Sequence, residues 1–414
     1  MYNIKLYNSL PTLTPATIKN DRIVAAHVYP AWTPGEAGVH NAFFDLADYP
    51  ERTPLGGYYG ESSPEVQDVH IKWALEHGIN CFIYCWYRNG NNAGKPVTVN
   101  DLRAGRGLHE GFLKSSLCDK MKFAIMYEMQ LPWCGTNAID IEKNLMPFWL
   151  ENYFCRDNYL KIDNKPVLFI YDNSLQFANS FEKAPQQKAC FDKLRAIARA
   201  HGFDGMYFAL EYRKEDMSVL DDFKERGYDF TFAYCWEIKK ELPDDSFVVT
   251  DQLRQNDMRL VDPYFFAPTA SCMWDPSPRF HTILKEKARQ KPEKTRKIWK
   301  LRPESFRKLL SELSRRMESA PSDSIASKLI MIDNWNEWDE GHYILPSTEF
   351  GFKYLQAVRE ELTERDNLPD YRLPDDIGIP YPNPWGDADF SQNTKRLDPD
   401  GKPYIKVERI DEND

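Results

Sequence analysis

The chain has no pair of cysteines at C-x-x-C spacing and no His-x-His or His-Glu-x-x-His run among its eight histidines. The usual patterns of a zinc site are therefore missing. Also missing are the phosphate-cradling loop G-x-x-x-x-G-K-[ST], the dinucleotide turn G-x-G-x-x-G and the nucleophile elbow G-x-S-x-G. No nucleotide cofactor, no metal and no serine-hydrolase chemistry is expected. No 18 apolar residues run together, so no membrane insertion is expected. Met1-Tyr2-Asn3-Ile4-Lys5 lacks the charged start and apolar core of a signal peptide. The expectation is a soluble, cytoplasmic protein as given, or a periplasmic or secreted one if a signal has been removed.

Positive charge is in deficit, with 53 Lys and Arg against 63 Asp and Glu, a net charge of -10 spread along the chain. That balance argues against nucleic acid or an anionic membrane as partner and fits a neutral ligand. The eight cysteines (Cys81, Cys85, Cys118, Cys134, Cys155, Cys190, Cys235 and Cys272) include several inside apolar runs. They read as free thiols packed as small hydrophobes in a reducing compartment.

Aromatics are abundant at 14%, with 11 Trp and 22 Tyr. Sugar sites use such rings because the C–H face of a pyranose packs on them, although core packing uses them equally. Short apolar runs alternate with amphipathic helical patterns, the signature of parallel βα units. The strand candidates are Val24–Ala31, Ile79–Trp86, Lys122–Glu128, Pro166–Tyr171, Gly205–Glu211, Tyr228–Trp236, Tyr264–Met273 and Lys328–Trp335. Eight such strands close a barrel. Ser63-Pro64-Glu65 reads as a helix start and Gly78 as its stop. Phe306, Leu310, Leu313 and Met317 keep the spacing of a buried helical face. Lys161-Ile162-Asp163-Asn164-Lys165 reads as a hairpin turn. The long connection from Trp32 to Ser63 has the length of a functional loop. The expected architecture is a single α/β (β/α)8 TIM-type barrel over 1–365 with long βα loops. A Pro-rich extended C-terminal extension over 366–414 is expected to pack on it.

Active sites of parallel barrels lie at the C-terminal strand ends, so the informative residues are those where an apolar run turns polar. These are Tyr29 and Trp32, then Trp86, Tyr87 and Arg88, then Glu128, Asp172, Glu211, Trp236 with Glu237, Trp274 with Asp275, and Asn334 through Glu340. Carboxylates and aromatics dominate. Glycosidic cleavage needs one carboxyl group to protonate the leaving oxygen and a second as base or nucleophile. Glu337 and Glu340 are the candidates. Three apart, they share a side only if the strand ends near Trp335, and then lie about 5–6 Å apart. A solvated acidic loop or an N-cap pair is the competing reading. For Glu128 and Glu211 the competing role is salt-bridging at the mouth, and for Trp86, Trp236 and Trp274 it is packing beneath the loops. Asn334, Asn336 and Trp338 complete the expected substrate contacts.

Ile79-Asn80-Cys81-Phe82-Ile83-Tyr84-Cys85-Trp86-Tyr87, Asn164-Lys165-Pro166-Val167-Leu168 and Asn336-Glu337-Trp338-Asp339-Glu340-Gly341 occur in this order. From Val24 to Glu361 the chain resembles the glycoside hydrolase family 99-like, or WbsX-type, domain. The resemblance implies a metal-independent, retaining (β/α)8 glycoside hydrolase acting on an α-linked oligo- or polysaccharide. It implies Glu340 as acid/base toward the leaving group. Glu337 would then assist the sugar's own 2-hydroxyl, through a 1,2-anhydro-sugar intermediate. WbsX-type members often carry a glycosyltransferase label, so a glycan-assembly transferase and a non-catalytic glycan-binding barrel stand as alternatives. Where many members have Glu-Pro, this chain has Ile344-Leu345-Pro346, and mannose specificity is not part of the expectation.

Overall fold

The computed structural model describes residues 13–385 apart from 37–48 (where only Phe43 and Leu46 are described), 130–135, 173–182 (only Phe177 and Phe181) and 279–296. Eight parallel strands form the frame: β1 (Ile23–Val28), β2 (Cys81–Arg88), β3 (Lys122–Glu128), β4 (Lys165–Tyr171), β5 (Tyr207–Glu211), β6 (Phe230–Phe232), β7 (Thr269–Ser271) and β8 (Leu329–Asp333). Strand β1 pairs in parallel with both β2 and β8, and β8 with β7. The remaining neighbours follow chain order from β2 to β6. The ring is completed where Thr231 of β6 accepts from Ala267 N at 2.9 Å and donates its own N–H to Phe265 O at 2.9 Å. Near-continuous apolar strands such as β2, buried along its whole length, are what a sheet covered on both faces requires.

All eight expected strands are present, but several end earlier than their apolar runs. The sixth stops at Phe232 instead of Trp236, and the eighth at Asp333 instead of Trp335. The apolar character continues past both ends because the residues beyond them are packed under loops. Helix α1 (Pro64–Glu76) is capped by Ser63, whose side chain accepts from Val66 N. Gly78 ends it at φ +90, where a Cβ would sit 2.2 Å from the Thr363 side chain. The Lys161–Ile162 strand turns at Asp163 and Asn164, both at positive φ, and pairs with the start of β4. This is the hairpin read from the sequence.

Helices α2 (Ala184–Ala200), α3 (Asp245–Arg259), α4 (Pro303–Ser319) and α5 (Lys353–Leu362) cover the barrel. Phe306, Leu310, Leu313 and Met317 of α4 face inward, each 1% exposed or less. The extension described to residue 385 is not wholly extended, since Pro374–Ile377 forms one helical turn. It docks through Trp385, whose Nε1 donates to Tyr59 O at 2.7 Å, and through Tyr381, whose hydroxyl lies 2.9 Å from His70 Nε2. Residues 386–414 lie outside the described part. The described cysteines are all free, and all but Cys155 are buried; Cys134 lies outside the described residues. No described helix is long and apolar enough to cross a membrane.

Candidate active site

Because β8 stops at Asp333, the next residues leave the barrel wall and fold into a small hairpin. Asn336–Glu337 pairs antiparallel with His342–Tyr343, and Glu337 stands opposite His342. Gly341 closes the turn at φ +67, and a Cβ there would lie 2.5 Å from the Asp275 carbonyl oxygen, so only glycine fits. Asp275 N donates to Glu340 O at 2.8 Å, which ties the turn to the segment after β7. Buried Arg52 braces the same corner by an ion pair to Asp275 and a bond from Nη1 to Asp275 O at 2.8 Å.

This hairpin brings Glu337 and Glu340 to one side. One carboxylate oxygen of each and one nitrogen of His342 all lie within 4.8 Å of one another. Glu337 is almost fully buried, and its Oε2 accepts from the Tyr234 hydroxyl and from Asn334 Nδ2 at 3.3 Å. Asn334 Nδ2 also donates to the Tyr234 hydroxyl at 2.7 Å, fixing the pair's geometry. The Glu340 side chain is 22% exposed and is the member that reaches solvent.

His342 joins the two. It is fully buried, with Nδ1 2.8 Å from Asp333 Oδ1, Nε2 2.8 Å from Glu340 Oε2, and Nε2 3.6 Å from Glu337 Oε2. Burial alone would lower the imidazole pKa. The Asp333 charge and hydrogen bond, the Glu340 hydrogen bond and the Glu337 charge outweigh it and hold the pKa well above the usual 6.5. Two sets have donor types and spacing suited to a cation: Cys235, Asp333 and His342, and Glu337, Glu340 and His342. Both depend on His342, whose two nitrogens already face carboxylates. They read as one hydrogen-bonded network.

Around this pair the strand ends supply further polar groups. Glu128 at the end of β3 is 3% exposed, and its Oε2 has no hydrogen-bond partner among the described residues. Burial first, then the Glu337 charge, pushes its carboxyl well above the usual range. A neutral carboxyl with one unpartnered oxygen is suited to a sugar hydroxyl. Glu211 ends β5 and accepts from Arg213 Nε at 2.7 Å. Arg213 also donates to Cys235 O at 3.0 Å and to the Tyr171 hydroxyl. Tyr29 and Tyr87 are buried at the same end, while Trp274 is half-buried beside the Asp275 contact to the hairpin.

Other expected contacts are buried and make internal bonds in this structure. Trp86 donates Nε1 to the Tyr153 hydroxyl at 2.9 Å and packs against Tyr127 and Trp149. Trp236 donates to Thr269 O at 2.9 Å beneath the Arg259 guanidinium. Trp338 donates to the Tyr59 hydroxyl at 3.1 Å and lies on Tyr343. Arg88 is ion-paired with Asp140 and bonds Asn92 O and Lys95 O at 2.7 and 2.9 Å. Trp32 is fully buried against Phe43. Asn336 anchors the hairpin, accepting from Tyr29 N at 2.9 Å and donating to Glu61 Oε1 at 2.9 Å. Glu61, buried there, is pushed up to about 8 by burial.

Sequence reasoning misses Tyr234, Arg213, Asp333 and His342. Tyr234 is hidden because the sixth apolar run continues to Trp236, which moves the expected rim two residues too far. His342 has a signal in Gly341, the left-handed turn residue that folds His342 back onto Glu337.

The fold and the site together define a (β/α)8 TIM-type barrel with two carboxylates just beyond the C-terminal end of its last strand. The chain belongs to the WbsX family: the family described as "Glycosyltransferase WbsX" matches residues 140–358, just over half of it. Two proteins from strains of Xanthomonas campestris pv. campestris, each described as uncharacterized protein WxcX, are 21% identical over 384 residues and 22% identical over 388. Each alignment covers 87% of this chain, which spans about half the length (51%) of those relatives. Solved structures share the fold. The family 99 endo-α-mannosidase of Bacteroides thetaiotaomicron, in complex with bis-tris-propane, has TM-score 0.55 at 15% identity, covering 82% of this chain and 96% of its own. A glycoside hydrolase-like protein has TM-score 0.56 at 16% identity, covering 87% and 99%.

Proposed function

We propose that this barrel is a retaining glycoside hydrolase that cleaves an α-linked glycan with Glu337 and Glu340. The observation that carries this is their convergence to within 4.8 Å at the end of β8. Retaining enzymes hold their carboxyls roughly 5–5.5 Å apart, whereas inverting ones keep about 6.5–9.5 Å for a water. The structurally similar endo-α-mannosidase supports the α linkage. By the family resemblance, Glu337 removes the proton of the sugar's 2-hydroxyl as that oxygen bonds to C1. The bond from C1 to the leaving oxygen breaks and the leaving oxygen takes a proton from Glu340. Water then attacks C1 and the C1–O2 bond breaks: one water proton goes to Glu340, the other stays on the new anomeric hydroxyl, and O2 regains from Glu337 the proton it lost. Tyr234 and Asn334 steady Glu337, Glu128 receives a hydroxyl, and half-buried Trp274 offers a ring face to the sugar.

The test is incubation of the purified protein with a panel of bacterial and plant polysaccharides and α-linked oligosaccharides. Mass analysis should show fragments whose summed mass exceeds that of the substrate by one water per bond cut. The family's description favours a second reading, transfer from an activated sugar donor. Saturable sugar-nucleotide binding in calorimetry, with no hydrolysis anywhere on the panel, would establish that reading instead.

A further inference from the structure

Elsewhere, a groove of about 590 Å³ lies against Asp119, Lys122 and Arg156 at the N-terminal strand ends, away from the end where barrels do chemistry. Its lining is ordinary surface charge. The hairpin carries more.

We propose that His342 is a positioning residue that clamps Glu340 and stores its proton, so that the Glu340–His342 pair, not Glu340 alone, is the acid that serves the leaving oxygen. This rests on the hydrolase reading above. The geometry comes first. A neutral imidazole has one donor and one acceptor nitrogen, yet both nitrogens of His342 lie 2.8 Å from carboxylate oxygens. Both contacts are hydrogen bonds to ionised carboxylates only if both nitrogens carry protons. Asp333, fully buried at the end of β8, holds the Nδ1 side, and the Tyr234 ring stands edge-on to the imidazole at 5.5 Å. The ring therefore has one orientation, and Nε2 points at Glu340.

The charged and titratable groups around it favour this state. Asp333, Glu337 and Glu340 supply three acids, and the Cys235 thiol lies within 4.8 Å of the Asp333 and His342 donor atoms. His27 of β1, pushed down to about 3 by burial and by the charges of His342 and Arg213, adds no positive charge. The imidazole is sealed from water while Glu340 is not, so Glu340 is the route by which the stored proton leaves and returns. On cleavage the pair loses one proton to the leaving oxygen and His342 becomes neutral, keeping its Nδ1–H on Asp333. Water attack at C1 later returns one proton through Glu340 to Nε2.

Two measurements test this. In the wild type, nitrogen-15 NMR of the imidazoles should show His342 protonated on both nitrogens at neutral pH, with its titration moved acidward in Glu340→Gln. An imidazole already neutral at about pH 6 overturns the proposal, and this readout needs neither a substrate nor a variant at His342. The second is the pH profile of kcat/KM on a substrate found by the panel. The comparison variant is His342→Gln, which keeps a hydrogen-bond donor toward Glu340 but stores no proton.

The alkaline limb of the wild type should lie above neutrality, because the pair stays protonated until His342 titrates at its raised pKa. In His342→Gln the limb should move acidward by about one unit or more, with a tenfold loss at fixed alkaline pH for each unit moved. A variant that is slower at every pH with an unmoved limb overturns the proposal, as does wild-type activity that a chelator abolishes and zinc restores. Absence of wild-type turnover defeats the hydrolase reading, while the NMR result still decides the clamp.

Discussion

Glu337→Gln and Glu340→Gln should each lower kcat by about 10²–10⁴-fold, the usual contribution of a positioned acid or base, with the fold retained. The amide is isosteric with the carboxylate, and in Glu337→Gln the Tyr234 hydroxyl keeps an acceptor. The two variants should differ in one respect. An aryl leaving group departs without protonation, so Glu340→Gln should recover much of its first-step rate on an activated aryl glycoside. Glu337→Gln should not, because the 2-hydroxyl still needs a base. Steady-state kinetics on both substrate types checks this, and wild-type rates in both variants would remove the pair from the mechanism.

Arg88→Met should be the most damaging of the surrounding changes, through stability and not through binding. Arg88 and Asp140 are each 1% exposed and ion-paired, and Asp140 also accepts from Gly94 N, Thr136 Oγ1 and Asn144 Nδ2 at 2.8–2.9 Å. Removing one member of a buried pair typically costs about 3–5 kcal/mol because the other stays buried and uncompensated. For a chain this long the thermal midpoint should fall by on the order of 5 °C. Although burial opposes it, Arg88 and the other donors hold the Asp140 carboxyl below its ordinary pKa. Its folded-state pKa is depressed, so this stabilisation is present above the unfolded aspartate value of about 3.9 and is lost as pH falls through the folded one. The difference between variant and wild type should therefore shrink in acid. A raised KM with an unchanged midpoint would instead make Arg88 a sugar contact.

The barrel is legible in the sequence because each strand is buried on both faces, so its apolar run stands out from the helices between. The Glu337/Glu340 pair is legible for a related reason, lying where the last run turns polar. What periodicity does not report is where a strand stops once apolar packing continues beyond it. Trp236 and Trp335 both extend their runs past the last paired residue, and this hides Tyr234 and Asp333. Nor does a strong side-chain type reveal its partner. Arg88, Trp86 and Trp338 are bonded to Asp140, Tyr153 and Tyr59, which lie 52, 67 and 279 residues away in the sequence, too far for spacing to report. His342 sits only two residues beyond Glu340, yet its role depends on the hairpin register that turns it back to Glu337.

The spacing of the two carboxylates makes a claim about stereochemistry, and proton NMR of the first-formed sugar anomer, recorded before mutarotation, tests it most directly. Cleavage of an α-linked substrate should release the α-anomer first, as retention through the Glu337/Glu340 pair requires. Initial release of the β-anomer would mean that the carboxyls stand apart around a water, which would contradict the account.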